Sequence, residues 1–223
     1  MTQGAAATPT EDELAVYGFV EHGLAEIVSG MDADPAEAVR QVTEFIDDVQ
    51  PVPGLDLRLS IRAYALVRAS GVLIDAASRA GDRDALQRGV TVTQSVRDNQ
   101  EIQADLRVTA THFKANALGS LIACELDDVS SEDESAVLRR FWEQRDLVRE
   151  ARVLQLEVCN DSNAGEALRS LAACNLANLL DDMGRWVEAY EWYQRSLDYD
   201  PSNGNAAGNI AVLLGRVLAW DWA

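Results

Sequence analysis

The strongest constraint on the fold of this chain is a pattern of side chains that recurs after 34 residues near its C-terminal end. Three apolar or small residues and one asparagine recur at this interval, as the pairs Leu176/Ile210, Ala177/Ala211, Leu180/Leu214 and Asn175/Asn209. A repeat of this length indicates supersecondary units that stack because no unit can bury its apolar face alone. The sequence therefore predicts a stack of similar units.

The residue types within one unit indicate a helical hairpin. Small side chains let two antiparallel helices approach closely, and large ones fill the space between them. The small residues are Ala177, Ala189 and Ser196, and the large ones are Leu176, Leu180 and Tyr193. Gly184 accepts the backbone conformation that ends a first helix, and Pro201 stops a second one. The pattern predicts an antiparallel pair over 170–183 and 186–199, with 204–219 packed alongside.

This pattern resembles the tetratricopeptide repeat (TPR) at nearly every defining position between Leu176 and Pro201. The resemblance implies an all-α, right-handed solenoid with a concave groove lined mainly by first helices. An earlier segment, 112–118, resembles 174–180, and its partner helix comes late, after an acidic connector. We expect three or four such units and about nine helices in total.

Local signals divide the rest of the chain. Further helices are predicted at about 57–80, 83–98, 100–126 and 133–159. Asp34 followed by Pro35 predicts the start of another helix, and Pro51, Pro53 and Gly54 mark a boundary. The predicted organisation is a disordered tail over 1–10, an N-terminal helical segment over 11–54 that caps the stack or contacts a partner, and TPR-like repeats over 55–223.

The charge of the chain bears on its partners. The formal net charge is −18, from 37 acidic and 19 basic residues. Nucleic-acid binders have the opposite sign, so we expect no direct nucleic-acid binding. A solvated surface, attraction to a basic partner and mimicry of a nucleic-acid backbone remain open. Without a secretory segment or a long uncharged apolar run, the chain is expected in the cytoplasm and not in a membrane.

The expected site is the concave groove, where asparagine side chains can bond the backbone of a bound protein segment. The predicted groove residues are Asn116, Asn175, Asn178, Asp181, Asn209, Val212 and Arg216. The alternative is that some of these side chains bond neighbouring helices. Trp220 and Trp222 are a candidate interface, because they either fold back on the preceding repeat or contact another chain, which would make the C-terminal helix an oligomer contact.

The region from about 105 to 220 also resembles bacterial TPR–HEPN proteins, in which such repeats precede a HEPN domain. The matching segments are 115–117, 175–178, 184–185, 188–189, Tyr193, Pro201 and 208–209. HEPN domains are often ribonucleases of toxin or phage-defence systems, so the resemblance implies a sensor or regulatory role beside a HEPN-type nuclease. The sequence ends at Ala223, where that domain should begin, so we expect either a truncated sensor or a stand-alone relative.

Motifs for chemistry are sparse. Arg107 and His112 fit the loose Arg-x4-His spacing of HEPN ribonucleases, but their helix aligns with a repeat helix, which favours a structural or groove-facing His112. Neither His22 nor His112 has a partner at metal-ligand spacing. The sequence therefore predicts a binding scaffold that is not an enzyme and has no cofactor, no metal and no catalytic residue.

Overall fold

A computed structural model describes residues 11–49, 59–127, 139–140 and 142–220. In these ranges the chain forms nine long helices and no strand. They are α1 (Glu11–Gly30), α2 (Pro35–Val49), α3 (Leu59–Ala80), α4 (Arg83–Asp98), α5 (Ala104–Asp127), α6 (Arg145–Asn160), α7 (Glu166–Asp182), α8 (Trp186–Tyr199) and α9 (Gly204–Trp220). The prediction of an all-α fold with about nine helices is confirmed.

The helices stack as successive hairpins. Each helix packs on the next one in the chain, and each odd-numbered helix also packs on the next odd-numbered helix. Among the described residues, no even-numbered helix packs extensively on another even-numbered one. This arrangement is a solenoid with α1, α3, α5, α7 and α9 as one continuous layer, so the first helices of the hairpins lie side by side. The predicted right hand of the solenoid stays a prediction.

The predicted hairpin is formed by α7 and α8, and α9 packs on both. Its antiparallel direction is set by two widely spaced contacts. Ser170 Oγ donates to the backbone oxygen of Ser196 over 2.9 Å, and Tyr193 Oη donates to Asn178 Oδ1 over 2.7 Å. Early residues of α7 thus meet late residues of α8, which confirms the predicted pair.

Two hairpin turns use glycine in the same way. Gly81 and Gly184 follow α3 and α7 with φ of 66° and 72°, a region that is costly for any side chain with a Cβ. In both turns the amide of the next residue bonds the carbonyl five residues earlier, from Arg185 to Leu180 and from Asp82 to Ala77, each over 2.9 Å. These bonds satisfy carbonyls that the helix end would leave unpaired. Glycine therefore ends each of these helices at a defined residue.

Two predicted boundaries differ from the structure. Helix α5 begins at 104 instead of 100, because Asn99 Oδ1 accepts from the Glu101 amide over 3.0 Å and closes a turn that buries Ile102. The predicted helix over 133–159 is broken at Gln144, since 139–140 and 142–143 are helical, Gln144 lies in a turn, and α6 begins at 145. Residues 133–138 lie outside the described residues. The acidic connector, the predicted tail over 1–10 and the predicted break at Pro51 to Gly54 lie outside the described residues.

Close helix contacts depend on small residues. A Cβ at Gly71 of α3 would lie 2.7 Å from Phe113 Cζ of α5, and one at Gly89 of α4 would lie 2.9 Å from Ile74 Cγ1 of α3. Real Cβ atoms do not approach this closely, so the two glycines set the distance between neighbouring helices. The contact at Gly71 brings α3 and α5 together in the odd-numbered layer.

The single lysine of the chain is structural. Lys114 on α5 is only 8% exposed, and its Nζ lies 2.5 Å from Glu150 Oε1 of α6. The same ammonium also donates to Gln94 of α4. A buried ammonium is tolerated where it is paired and hydrogen-bonded, so Lys114 connects three helices across two hairpins.

Candidate functional site

A groove of about 740 Å³ runs along the layer of odd-numbered helices. Its lining extends from Val28 on α1, across α3, α5 and α7, to Asn205 on α9, with a contribution from α6. Because first helices supply most of its walls, the groove lies where the sequence predicted a concave surface. Its lining therefore comes from several successive hairpins and from α9.

The groove has an apolar part that sequence reasoning missed. Val72, Phe113 and Leu171 line it, and Leu171 is 45% exposed although it stands on a helix with a buried apolar face. Arg68 and Asp75 of α3 also line it. A signal was present in α3, where Arg68, Val72 and Asp75 follow one another at helical spacing on one face. Without a repeat match for α3, nothing in the sequence pointed that face into the groove.

Asn116 and Asn178, called here the bridging asparagines, occupy equivalent places in successive hairpins. Asn116 Oδ1 accepts from Gln155 Nε2 of α6 over 2.9 Å and from Asn175 Nδ2 of α7 over 2.7 Å. Asn178 Oδ1 accepts from Tyr193 Oη of α8 over 2.7 Å and from Asn209 Nδ2 of α9 over 2.8 Å. Each oxygen thus takes one bond from the second helix of its own hairpin and one from the next hairpin.

His112 completes a closed ring of hydrogen bonds with Asn116 and Gln155. Its Nδ1 lies 3.3 Å from Gln155 Oε1, and its Nε2 lies 3.1 Å from Asn116 Nδ2. Both amide groups are satisfied only if Nδ1 carries the proton and Nε2 accepts. The imidazole is 2% exposed, and burial lowers its pKa to about 4. His112 is therefore a neutral part of the groove floor.

The amide nitrogen of Asn178 is available to a ligand. In the hairpin of α5 and α6, the side-chain nitrogen of Asn116 bonds His112. In the hairpin of α7 and α8, the residue equivalent to His112 is Cys174. Among the described residues no protein atom accepts a hydrogen bond from Asn178 Nδ2, and Asn178 lines the groove. Because two donors hold its oxygen in place, the nitrogen cannot exchange positions with it. Asn178 thus presents a donor with a fixed direction to the groove.

An ion pair joins α7 to α9 beside the groove. Arg216 Nη2 donates to Asp181 Oδ2, and the Asp181 side chain is only 13% exposed. The next residue, Asp182, lines the groove, and desolvation by the surrounding protein together with the charge of Asp181 raises its pKa. The end of the groove at α9 is therefore acidic, with one of its two carboxylates compensated by Arg216.

The predicted groove residues fall into two groups, those that line the groove and those that lie beside it. Asn116, Asn175 and Asn178 line the groove. Asp181, Asn209 and Arg216 instead bond neighbouring helices beside it, and Val212 is 60% exposed on the same side of α9. Asp182 and Asn205 line the groove at this end. Contact of these residues with a partner stays a prediction. Trp220 lies in α9, and Trp222 lies outside the described residues.

The geometry around Arg107 and His112 is that of a packed helix. Arg107 Nη1 donates to Gln100 Oε1 over 2.6 Å, and His112 is buried with both ring nitrogens bonded. The described ranges contain no group of three His, Cys, Asp or Glu side chains placed to hold a metal ion. None of the nine helices has the length and apolar character needed to cross a bilayer.

Comparison with models of protein families, with curated proteins and with solved structures finds no match for this chain.

Proposed function

We propose that this protein is a non-catalytic scaffold that binds a segment of a partner protein along its concave groove in the cytoplasm. The observation that carries the proposal is the fixed orientation of the Asn178 amide, whose nitrogen faces a groove of about 740 Å³ with no protein acceptor among the described residues. A peptide backbone offers the matching carbonyl oxygens. The groove also offers apolar surface at Phe113 and Leu171 for side chains of the bound segment.

The TPR resemblance supports the same proposal. The residues that carry it have the environments their types require: Ala177, Ala189 and Ser196 are fully buried at the helix contact, and Gly184 has a positive φ. Helical repeats of this kind commonly present an extended concave surface to a partner. The formal charge of −18 favours a partner segment with basic residues over an acidic one.

Substitution of Asn178 tests the proposal with little effect on the fold. Asn178→Asp keeps the oxygen that accepts from Tyr193 and Asn209, removes the donor that faces the groove, and adds one negative charge. Gln87→Glu is the charge-matched control, because Gln87 is exposed on α4, outside the groove lining. In affinity purification from the native host, a specific partner should be lost with Asn178→Asp and retained with Gln87→Glu.

A photo-crosslinking residue gives a direct measurement of where the partner lies. Placed at Leu171 in the groove, it should link covalently to the partner, whereas placed at Val153, which is 54% exposed on α6 and outside the groove lining, it should not. Equal crosslinking from both positions would count against the groove. Recovery of a nuclease as the crosslinked partner would favour the regulatory role that the TPR–HEPN resemblance implies.

A further inference from the structure

The outer face of α9 repeats a surface that is buried one hairpin earlier. Residues 206–214 read AAGNIAVLL, and residues 172–180 read AACNLANLL, so six of nine positions are identical after the 34-residue shift. In α7 this segment packs on two sides, against the preceding helix α6 and against α8, the second helix of its own hairpin. In α9 the first of these sides packs against the preceding helix α8, and no described helix covers the second side. We call this second side, formed by Ala207, Gly208, Ala211, Leu214 and Leu218, the outer face.

Leucines of the outer face are more exposed than the equivalent leucine of α7. Ala206 and Leu213 are 0% and 2% exposed, like their equivalents in α7. Leu214, by contrast, is 43% exposed, whereas its equivalent Leu180 is 2% exposed under α8. Leu218, one turn further on, is 59% exposed. The apolar side chains of the outer face are thus those that a covering helix would bury.

The outer face also allows a helix to approach closely. A Cβ built on Gly204, Gly208 or Gly215 would meet no atom within 4 Å, so no described element occupies the space beside them. On α8, the helix that covers α7, the small residues Ala189 and Ser196 are seven positions apart and fully buried. Gly208 and Gly215 have the same spacing on α9. Helix α9 therefore combines two features that α7 and α8 have separately. It has an exposed apolar surface like the one that α8 buries on α7, and it has the seven-residue spacing of small side chains found on α8.

The outer face differs in charge from most of the chain. Residues 201–220 contain no aspartate or glutamate, in a chain with 37 acidic residues. The single charge of α9 is Arg216, which is paired with Asp181 on the groove side of the helix. Two copies of so acidic a protein repel one another over most of their surface, and the outer face of α9 is a place where they can meet without opposing carboxylates.

We propose that the outer face of α9 binds the outer face of α9 in a second copy of this chain. The two helices are antiparallel about a twofold axis near Ala211, so that the small residues of one helix receive Leu214 and Leu218 of the other. This homodimer uses a different side of α9 from the groove, and it does not depend on the proposed groove function.

Sedimentation velocity of the full chain over a concentration series tests the dimer. The wild type should dimerise, and the dimer should be tighter at about 0.5 M than at about 0.05 M salt, because salt screens the repulsion between two acidic chains. Leu214→Glu should raise the dimer dissociation constant about a hundredfold or more, since each interface would bury two unpaired carboxylates. Val212→Glu is the matched control, because Val212 is 60% exposed on the groove side of α9, and it should still dimerise.

A cysteine at the proposed axis gives a second measurement. Ala211→Cys should form a disulfide between two chains under mild oxidation, and Val212→Cys should not. Circular dichroism melts establish that the glutamate variants are folded. A wild type that stays monomeric at both salt concentrations would overturn the proposal, as would a dimer that Leu214→Glu leaves intact or equal crosslinking at the two cysteine positions.

Discussion

The side-chain oxygens of Asn116 and Asn178 have the same hydrogen-bond environment in successive hairpins. Each accepts one bond from the second helix of its own hairpin and one from an asparagine of the next hairpin, at distances from 2.7 to 2.9 Å. The predicted alternative, that these asparagines bond neighbouring helices, therefore describes part of their role. The remaining donor on Asn178 is what distinguishes the two positions, because only Asn116 has a histidine beside it.

Removing a bridging asparagine should destabilise the contact between hairpins. Asn116→Ala removes the acceptor for Gln155 and Asn175 and the donor to His112, and it leaves those groups without their partner. We expect the free energy of unfolding to fall by about 1–3 kcal/mol. Chemical denaturation measures this change. Asn205→Ala, at an exposed groove position, is the control and should change stability by less than about 0.5 kcal/mol; equal losses in the two variants would contradict a bridging role.

His112 should make stability depend on pH in a defined window. Its folded-state pKa of about 4 lies below the ordinary value of 6.5, so the unfolded chain takes up the proton first as the pH falls. Its contribution is fully present above about pH 6.5 and is lost between about pH 6.5 and pH 4, by about 3 kcal/mol in total.

The histidine contribution can be separated from that of the carboxylates by substitution. His112→Gln should flatten the dependence of the unfolding free energy on pH by about 1 kcal/mol per pH unit in this window. His22→Gln is the control, because His22 is exposed on α1. Parallel pH profiles for wild type and His112→Gln would show that the ring is not held in its neutral form.

The distance between α3 and α5 should be sensitive to one methyl group. Gly71→Ala places a Cβ 2.7 Å from Phe113 Cζ, so the ring must move, and we expect a loss of about 1–3 kcal/mol in the free energy of unfolding. Gly119→Ala on α5 meets no atom within 4 Å and should instead be neutral or stabilising by up to about 1 kcal/mol. Denaturant unfolding of both variants measures the contrast, and a Gly71→Ala protein as stable as the control would refute the close contact.

Asn203 should have two separable effects. Its Oδ1 accepts from the Ala206 amide over 3.2 Å at the start of α9, and its Nδ2 donates to Ser170 and Ser196, which join α7 to α8. Asn203→Ser keeps an acceptor for the helix cap and removes the donor without burying a charge, whereas Asn203→Ala removes both. We expect Asn203→Ala to cost about 1 kcal/mol more than Asn203→Ser in thermal or chemical unfolding. The reverse order of stability would mean that the cap contributes nothing.

The sequence was most informative where the structure depends on short-range rules. Gly184 and Pro201 follow the ends of α7 and α8 as predicted, and the pattern that recurs after 34 residues placed α7 and α9 correctly. The prediction of one helix over 133–159 missed the break at Gln144, which separates the helical residues 142–143 from α6, because no glycine or proline marks that break in the sequence. Periodicity predicts where equivalent helices lie and does not predict an insertion between them.

The groove was harder to predict than the helices. The bond between Asn116 and Asn175 joins residues 59 apart, not 34, so no fixed interval in the sequence indicates it. Asn209 and Arg216 were predicted on the groove side of α9, but their side chains are engaged with α7. A single sequence predicts the side of a helix that a residue occupies, and it does not predict whether a polar side chain is satisfied by its own chain.

The buried position of Lys114 gives the protein an unusual chemical property. Because this residue is the only lysine in the chain, the folded protein has no freely accessible ε-amine for acetylation, ubiquitin transfer or amine-reactive dyes. Modification at that nitrogen requires α4, α5 and α6 to separate first. The rate at which an amine-reactive reagent labels Lys114 therefore reports on the opening of the middle of the solenoid.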